Sequence, residues 1–524
     1  MSRESANATT NRSRGRSWYQ TTIRVAIDRF ELAAFATLAT LSLWVLGLDL
    51  WQVIAHGRVW TGTDGVYPGD QLQYLAWIRS ASVHVLASDL FVIRPTPTDY
   101  LQPAIAISGG LSALGMAPWL SFLLWKPIAV VAFFAAVRAF VRRSLAGRWE
   151  RRAALVLGLF FSAFPVIGDL YPPFWSWGYP FGLIATAALP AALLAYDRAR
   201  TANRLSLAPA LLGALASWLH PWQGETLIAI VIAAELLAWR GVLASGSPRG
   251  RHTLAAATVI GTALPVVYLA ALDRFDHWWH LARAITQNPY PLSRIALDLA
   301  ALALPAALAY RSRPRDFLAL ATRIWPLAAL AVYAFCETPL GATPLHAFAG
   351  VTVPLGILAV EGVQQAGWGR LPHPVLLGAL AVAAATIPSG VEQMSQASGD
   401  IVTAGNGNYI TSSEHRALEY LAADREPGGV LARYNVGVVT PADTGRRTYI
   451  GDCAWSPDCS AHEATANAMF GGSLTAAATR AFVLGSGARF VVSDCQARVN
   501  LTRPLAPITR SVHRFGCAAV YEVQ

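Results

Sequence analysis

The chain has 524 residues, 54% of them hydrophobic and only 14% charged, with a mean hydropathy of +0.39. Soluble proteins of this size carry about 25% charged residues, so the composition excludes a soluble globular enzyme and predicts a polytopic α-helical membrane protein. The net charge of +10 does not imply a nucleic-acid partner, because the arginines fall in short segments between apolar runs and build no continuous basic face.

Residues 1–30 are rich in Ser, Thr, Asn and Arg and read as a disordered, basic cytosolic tail. The N-x-S/T matches at Asn7, Asn11 and Asn500 carry no weight, since two of them lie in that tail. The first apolar run, 32–54, is too long for a signal-peptide core and reads as an uncleaved anchor. A long outer segment, 55–103, follows it. Residues 104–114 read as a surface or re-entrant helix, because making them a span would place Arg142, Arg143, Arg148, Arg151 and Arg152 outside.

Further spans are predicted over 117–140, 153–167, 181–195, a stretch ending at His220, 225–238, 254–272, 295–309, 324–335, 347–360 and 375–387, about eleven in all with the anchor. Arginines at 198, 200, 204, 240, 249, 251, 311, 313 and 315 fall on one side of them. This multi-pass cell-membrane topology puts the N-terminus in the cytoplasm. The transmembrane domain is 31–390, and 391–524 forms a small extracytoplasmic α/β domain. In that domain helices are expected over 412–423 and 474–484, with strands at 430–434, 447–450, 490–492 and 519–523. Its four cysteines favour disulfides, Cys453 with Cys459 and Cys495 with Cys517, over zinc, because no C-x-x-C is present. Cys336 reads as a buried thiol.

The same orientation sends segments rich in Trp, His and acid to the outside, at 174–180, 220–225, 273–280 and 336–339. An aromatic belt explains the tryptophans. It does not explain the accompanying His, Glu and Asp, which suggest a site. The sharpest candidate is Gly69-Asp70-Gln71 through Arg79, read as an amphipathic surface helix opened by an acid. Outside a membrane, activated sugars are available as polyprenyl-phosphate esters and not as soluble sugar nucleotides. An enzyme using them needs a carboxylate near the anomeric carbon and cationic groups for phosphate. Asp70 suits the first need, as a general base or as a ligand to a divalent cation (Mg or Mn); otherwise it caps its helix.

Gln71 and Tyr74 share that helix as substrate contacts, and Arg58, Arg79 and Arg94 can meet phosphate in bidentate fashion. Asp64, in Thr-Asp-Gly, is a turn residue or a second acid. Lys126 either snorkels outward or binds lipid phosphate. His220 and Glu225 flank a helix break and contact substrate or line a solvated turn. His277 and His280 can share a helical face as metal ligands, which Asp276 and His277 cannot; a polar interfacial loop is the alternative. Asp298 is equally open.

An anchor, a long outer loop opened by an acid, a surface helix, many more spans and a soluble C-terminal domain together resemble the GT-C superfamily of integral-membrane glycosyltransferases. That resemblance implies an inverting-type transfer from a polyprenyl-phosphate sugar to an envelope glycan or lipid acceptor, with Asp70 as the catalytic carboxylate. The chain departs from the family in lacking an adjacent acidic pair, which leaves Asp64, Asp89 and Asp99 as second partners. The alternatives are a transporter or lipid flippase, another lipid-modifying transferase, and a non-catalytic scaffold. No internal repeat supports the first. No H-E-x-x-H or G-x-S-x-G supports the second.

Overall fold

The computed structural model describes residues 27–64, 68–161, 179–242, 251–285, 291–366, 395, 398–399 and 407–524. Helices α1 (Arg29–Ser42) and α2 (Trp44–His56) form one nearly continuous rod. Asp28 starts it with a capping box, its side chain accepting from Glu31 N–H while Glu31 accepts from Asp28 N–H. The loop after it holds β1 (Val59–Trp60), then α3 (Pro68–His84), β2 (Ala87–Ser88) and β3 (Thr98–Tyr100). Next come α4 (Pro103–Ala113), α5 (Pro118–Leu123), α6 (Trp125–Ser144), α7 (Arg148–Phe160), α8 (Pro180–Thr201), α9 (Ala208–Leu219) and α10 (Pro221–Trp239). The bundle closes with α11 (Arg251–Phe275), α12 (His277–Ile285), α13 (Leu292–Ala309), α14 (Phe317–Cys336) and α15 (Thr352–Gln365).

Proline at the first or second position opens α4, α5, α8, α9 and α10, where its missing N–H costs no intrahelical bond. Among the described residues, seven helical stretches are long and apolar enough to cross a membrane. They match the predicted spans at 32–54, 117–140, 181–195, 225–238, 254–272, 295–309 and 324–335. The predicted span 153–167 runs from α7 into residues outside the described set, and 375–387 lies wholly outside it. The 12-residue α9 and 14-residue α15 stand at two other predicted spans. Helix α4, at 11 residues, is about 17 Å long, too short to cross. It packs on α3, and Gly109 permits the approach: a Cβ there would sit 2.7 Å from Ala81 Cβ.

The two ends of the bundle differ in chemistry. One gathers the start of α1, the end of α6, the start of α7 and the end of α8. There Arg142 grips both oxygens of Glu31 at 2.7 Å, Arg138 adds a contact at 3.0 Å, Arg152 meets Asp28, and Arg143 bridges Asp197 and Asp316. Removing one member of such a network leaves its partners desolvated. Glu31→Ala is therefore expected to destabilise the bundle by about 3 kcal/mol, read as a lower thermal midpoint in detergent; an unchanged midpoint would show that the network contributes nothing.

The other end carries the first loop and the chain from 407 onward. β1 pairs antiparallel with β4 (Tyr409–Ile410), Val59 opposite Ile410. A four-stranded sheet has the order β5 (Val430–Leu431), β6 (Phe490–Ser493), β8 (Ala518–Val523), β7 (Thr509–Phe515), with only β5 and β6 parallel. Its side chains alternate. Val430, Phe490, Val492 and Val520 join the core of the bundle, whereas Leu431, Val491, Tyr521 and Val523 pack with Met469, Phe470 and Val483 in a second core. The strand predicted at 447–450 is reduced to one bridge, Val430 to Thr448. Edge strand β7, Thr-Arg-Ser-Val-His-Arg-Phe, is too polar to be read from its sequence. It turns into β8 through Gly516-Cys517, with Gly516 at φ +68°, a conformation glycine adopts at least cost. Disulfides join Cys453 to Cys459 and Cys495 to Cys517, and Cys336 is a buried thiol.

Candidate functional site

Helix α3 is not the amphipathic surface element its sequence suggests. From Gln71 to Ala81 every residue but Arg79 is buried, with α4 and the short helix Thr440–Thr444 packed on it. Asp70, in its first turn, is exposed. The Asp70 carboxylate lies within electrostatic reach of two phenols, buried Tyr74 on its own helix and half-buried Tyr434 from the C-terminal part. Burial is the main reason both phenols are held well above their ordinary pKa, so both remain hydrogen-bond donors.

Asp64 is not an exposed turn. It is fully buried, its N–H donates to Gln71 Oε1 at 2.9 Å, and its carboxylate forms an ion pair with Lys126. Lys126 thus neither snorkels nor faces lipid. It is 5% exposed, pairs with Asp64 and also feels Asp49 of α2. Asp49 in turn accepts from the Tyr409 hydroxyl at 2.5 Å. Residues 407–409 fasten this loop: Thr61 N–H donates to Asn408 O at 3.0 Å, Thr61 Oγ1 to Gly407 O at 2.7 Å, and Thr63 Oγ1 to Asn408 Oδ1. Arg58 sits over the Tyr409 ring, 5.4 Å from its centroid.

A chain of rings leads from Asp70 into the bundle. Tyr74 meets Tyr179 at 5.5 Å between centroids, Tyr179 meets His220 at 5.8 Å, and His220 Nε2 bonds His346 Nδ1 at 2.7 Å. Trp222 stacks on His346 at 4.4 Å. Glu225 lies one turn into α10 with Oε2 buried and without a hydrogen-bond partner among the described residues. His346 was not foreseen; a single His after Thr343-Pro344-Leu345 carries no pattern, and only the fold brings it to His220.

Adjoining Tyr74 one turn further along α3, Trp77, Tyr100, Trp279 and Trp455 form a box with centroid separations of 4.5–5.9 Å. Asp89, Asp276 and Asp452, all buried, repel one another beside it. Burial, then that repulsion, raises Asp89 to about 7 against the opposing Phe91 N–H and Arg447. Because the folded state holds this proton more tightly than the unfolded chain, its contribution to stability is full below pH 4 and is lost as pH rises through 7. Wild type should lose up to about 1.4 kcal/mol per pH unit across that window relative to Asp89→Asn, measured by denaturation at several pH values; parallel curves would show that Asp89 does not titrate there.

The remaining sequence candidates lie apart. Arg79 is nine residues beyond Asp70, about 13 Å along the axis, and faces Asp443 and Gly445. Arg94 and His277 are exposed, and His280 lies 3.5 Å from Asp273. Asp298 is buried in α13. Among the described residues no three His, Cys, Asp or Glu side chains converge as metal ligands. Asp64 is engaged by Lys126, so among the described residues it does not join Asp70 as a second acid for a cation.

No protein-family model matches this sequence, and no curated protein matches it. Solved structures do match by fold. The oligosaccharyltransferase of Archaeoglobus fulgidus, tethered with an acceptor peptide containing the NVT sequon, superposes with a TM-score of 0.53 at 15% identity, over 94% of this chain and 71% of that one. The same enzyme, AglB, with an inhibitory peptide and a dolichol-phosphate gives 0.51 at 14% identity, over 91% and 71%. ArnT from Cupriavidus metallidurans bound to undecaprenyl phosphate gives 0.49 at 14% identity, over 94% and 97%. Identity at this level speaks to the fold alone, which is that of the archaeal oligosaccharyltransferase.

Proposed function

We propose that this membrane protein of GT-C fold transfers a sugar from a polyprenyl-phosphate donor to an envelope glycan or lipid acceptor on the extracytoplasmic face. The observation that carries the reading is the position of Asp70: an exposed carboxylate in the first turn of a helix buried from Gln71 to Ala81 save Arg79, at the end of the bundle opposite the arginines. Positive-inside bias puts that end outside the cell. The dolichol-phosphate seen in the archaeal fold relative supports the donor class.

In this reading Asp70 takes the proton of the acceptor hydroxyl as that oxygen attacks the anomeric carbon, and polyprenyl phosphate leaves with the bonding pair of the broken C–O bond. Tyr74 and Tyr434, kept protonated, donate to groups at the attacking centre. The hydrogen-bonded pair of His220 and His346 keeps one imidazole N–H to offer the departing phosphate, and Glu225 stands beside it. Asp64 and Lys126 hold the loop and do not touch substrate. The elements after 407 close the site on the solvent side.

The test is transfer of radiolabelled sugar from a panel of polyprenyl-phosphate donors in membranes, comparing wild type with Asp70→Asn at matched expression. Transfer from one donor that the substitution abolishes supports the reading. Transfer that survives moves the base away from Asp70. No transfer from any donor, with movement of a lipid across the bilayer, favours a flippase.

A further inference from the structure

At the arginine-rich end, on the face opposite Asp70, the structure has a half-open pocket of about 370 Å3. It lies between the turn joining α6 to α7, the turn joining α13 to α14, the first turns of α14 and the last turn of α15. From its lining residue Arg323 to Cys336 at the far end of α14 is thirteen residues, about 20 Å, so it does not belong to the candidate site.

Its polar lining is organised around Arg323, which is 7% exposed although it sits within a membrane-spanning helix. An arginine at such depth is costly unless it serves a polar cavity. Arg323 donates to Ala309 O and Ser312 Oγ at 3.1 Å and to Glu361 Oε2 at 2.9 Å, yet its Nε–H is buried and has no acceptor among the described residues. Both acids of the lining are already engaged, Glu361 by Arg323 and Glu150 by Gln364 at 2.7 Å. Arg313 and Arg315, which complete the wall, form no ion pair among the described residues; Arg315 donates only to Ser144 O at 3.0 Å. Three arginines thus face two committed carboxylates, an excess of positive charge with one buried donor unsatisfied. Guanidinium groups so placed match the oxygens of a phosphate. Helix α13, which runs from this cavity into the membrane, exposes Leu297 and Leu304 along its length, an apolar track on which acyl chains can lie.

We propose that this cavity binds the phosphate of an anionic phospholipid headgroup through Arg313, Arg315 and Arg323, a basic pocket between spans of the kind that selects charged lipids. The full chain in nanodiscs would be titrated with phosphatidylglycerol in a phosphatidylcholine background, with bound lipid read by native mass spectrometry. Arg313→Gln/Arg315→Gln should bind about 25-fold more weakly, the product of roughly fivefold for each arginine at a membrane surface. Arg313→Glu, which breaks no hydrogen bond seen in the structure, should show the same direction of effect without loss of fold. Arg198→Gln/Arg204→Gln, at the same end but outside the lining, should bind as wild type does. Equal binding by wild type and both cavity variants overturns the proposal. Competition by inorganic phosphate as strong as by the lipid overturns the headgroup assignment.

Discussion

Asp70→Asn is expected to lower sugar transfer by about 100- to 10,000-fold, the range over which a positioned general base contributes, with little change in thermal stability. The two halves of this expectation have separate causes. The carboxylate is exposed, so exchanging it for an isosteric amide buries nothing and opens no cavity. An amide cannot accept the acceptor's proton, so kcat should fall while KM for the donor changes little. The measurement is initial rate against donor concentration for both proteins, alongside a thermal melt. A loss of transfer with an equal loss of stability would make Asp70 a capping residue of α3. Tyr434→Phe provides a companion test: it keeps the ring and removes only the hydroxyl, which lies beside Gly69 and within electrostatic reach of Asp70.

Residues next to one another along the chain made much of this molecule legible. Seven of the roughly eleven spans read from apolar runs and arginines match apolar helices of spanning length, and the helix expected from Gly69-Asp70-Gln71 lies within Pro68–His84. Even the separation of Arg79 from Asp70 follows from helix rise alone. What failed was whatever depends on a distant partner. Gln71-Leu72-Gln73 alternates polar and apolar residues and so reads as a surface, yet Gly407 and the 440–444 helix cover it. Thr-Asp-Gly has the composition of an exposed turn, but Asp64 meets Lys126 from a helix sixty-two residues on. His346 becomes informative only beside His220. Local patterns specify helices and their ends, whereas burial of a polar group is decided by which other polar group the fold delivers to it.

Lys126→Met should destabilise the protein by about 3–5 kcal/mol, the cost of leaving buried charge without its partner. The expected effects are unequal in an informative way. Lys126 is the cation for two buried carboxylates, Asp64 by direct contact and Asp49 through its field. Removing it strands both, and among the described residues only Asp49 has a further side-chain donor, Tyr409. Asp64→Asn, by contrast, leaves Lys126 with Asp49 and should cost less. The double variant Asp64→Asn/Lys126→Met should recover part of the loss, giving a coupling energy of opposite sign to the single effects. Denaturation of all four proteins in one detergent closes this cycle. If Lys126→Met instead folds with wild-type stability and loses donor binding, the ammonium is a phosphate contact and Asp64 only keeps it in place until substrate arrives. That outcome would extend the catalytic cavity from Asp70 inward to α6, and would make the buried pair of the first loop a latch that the donor phosphate opens.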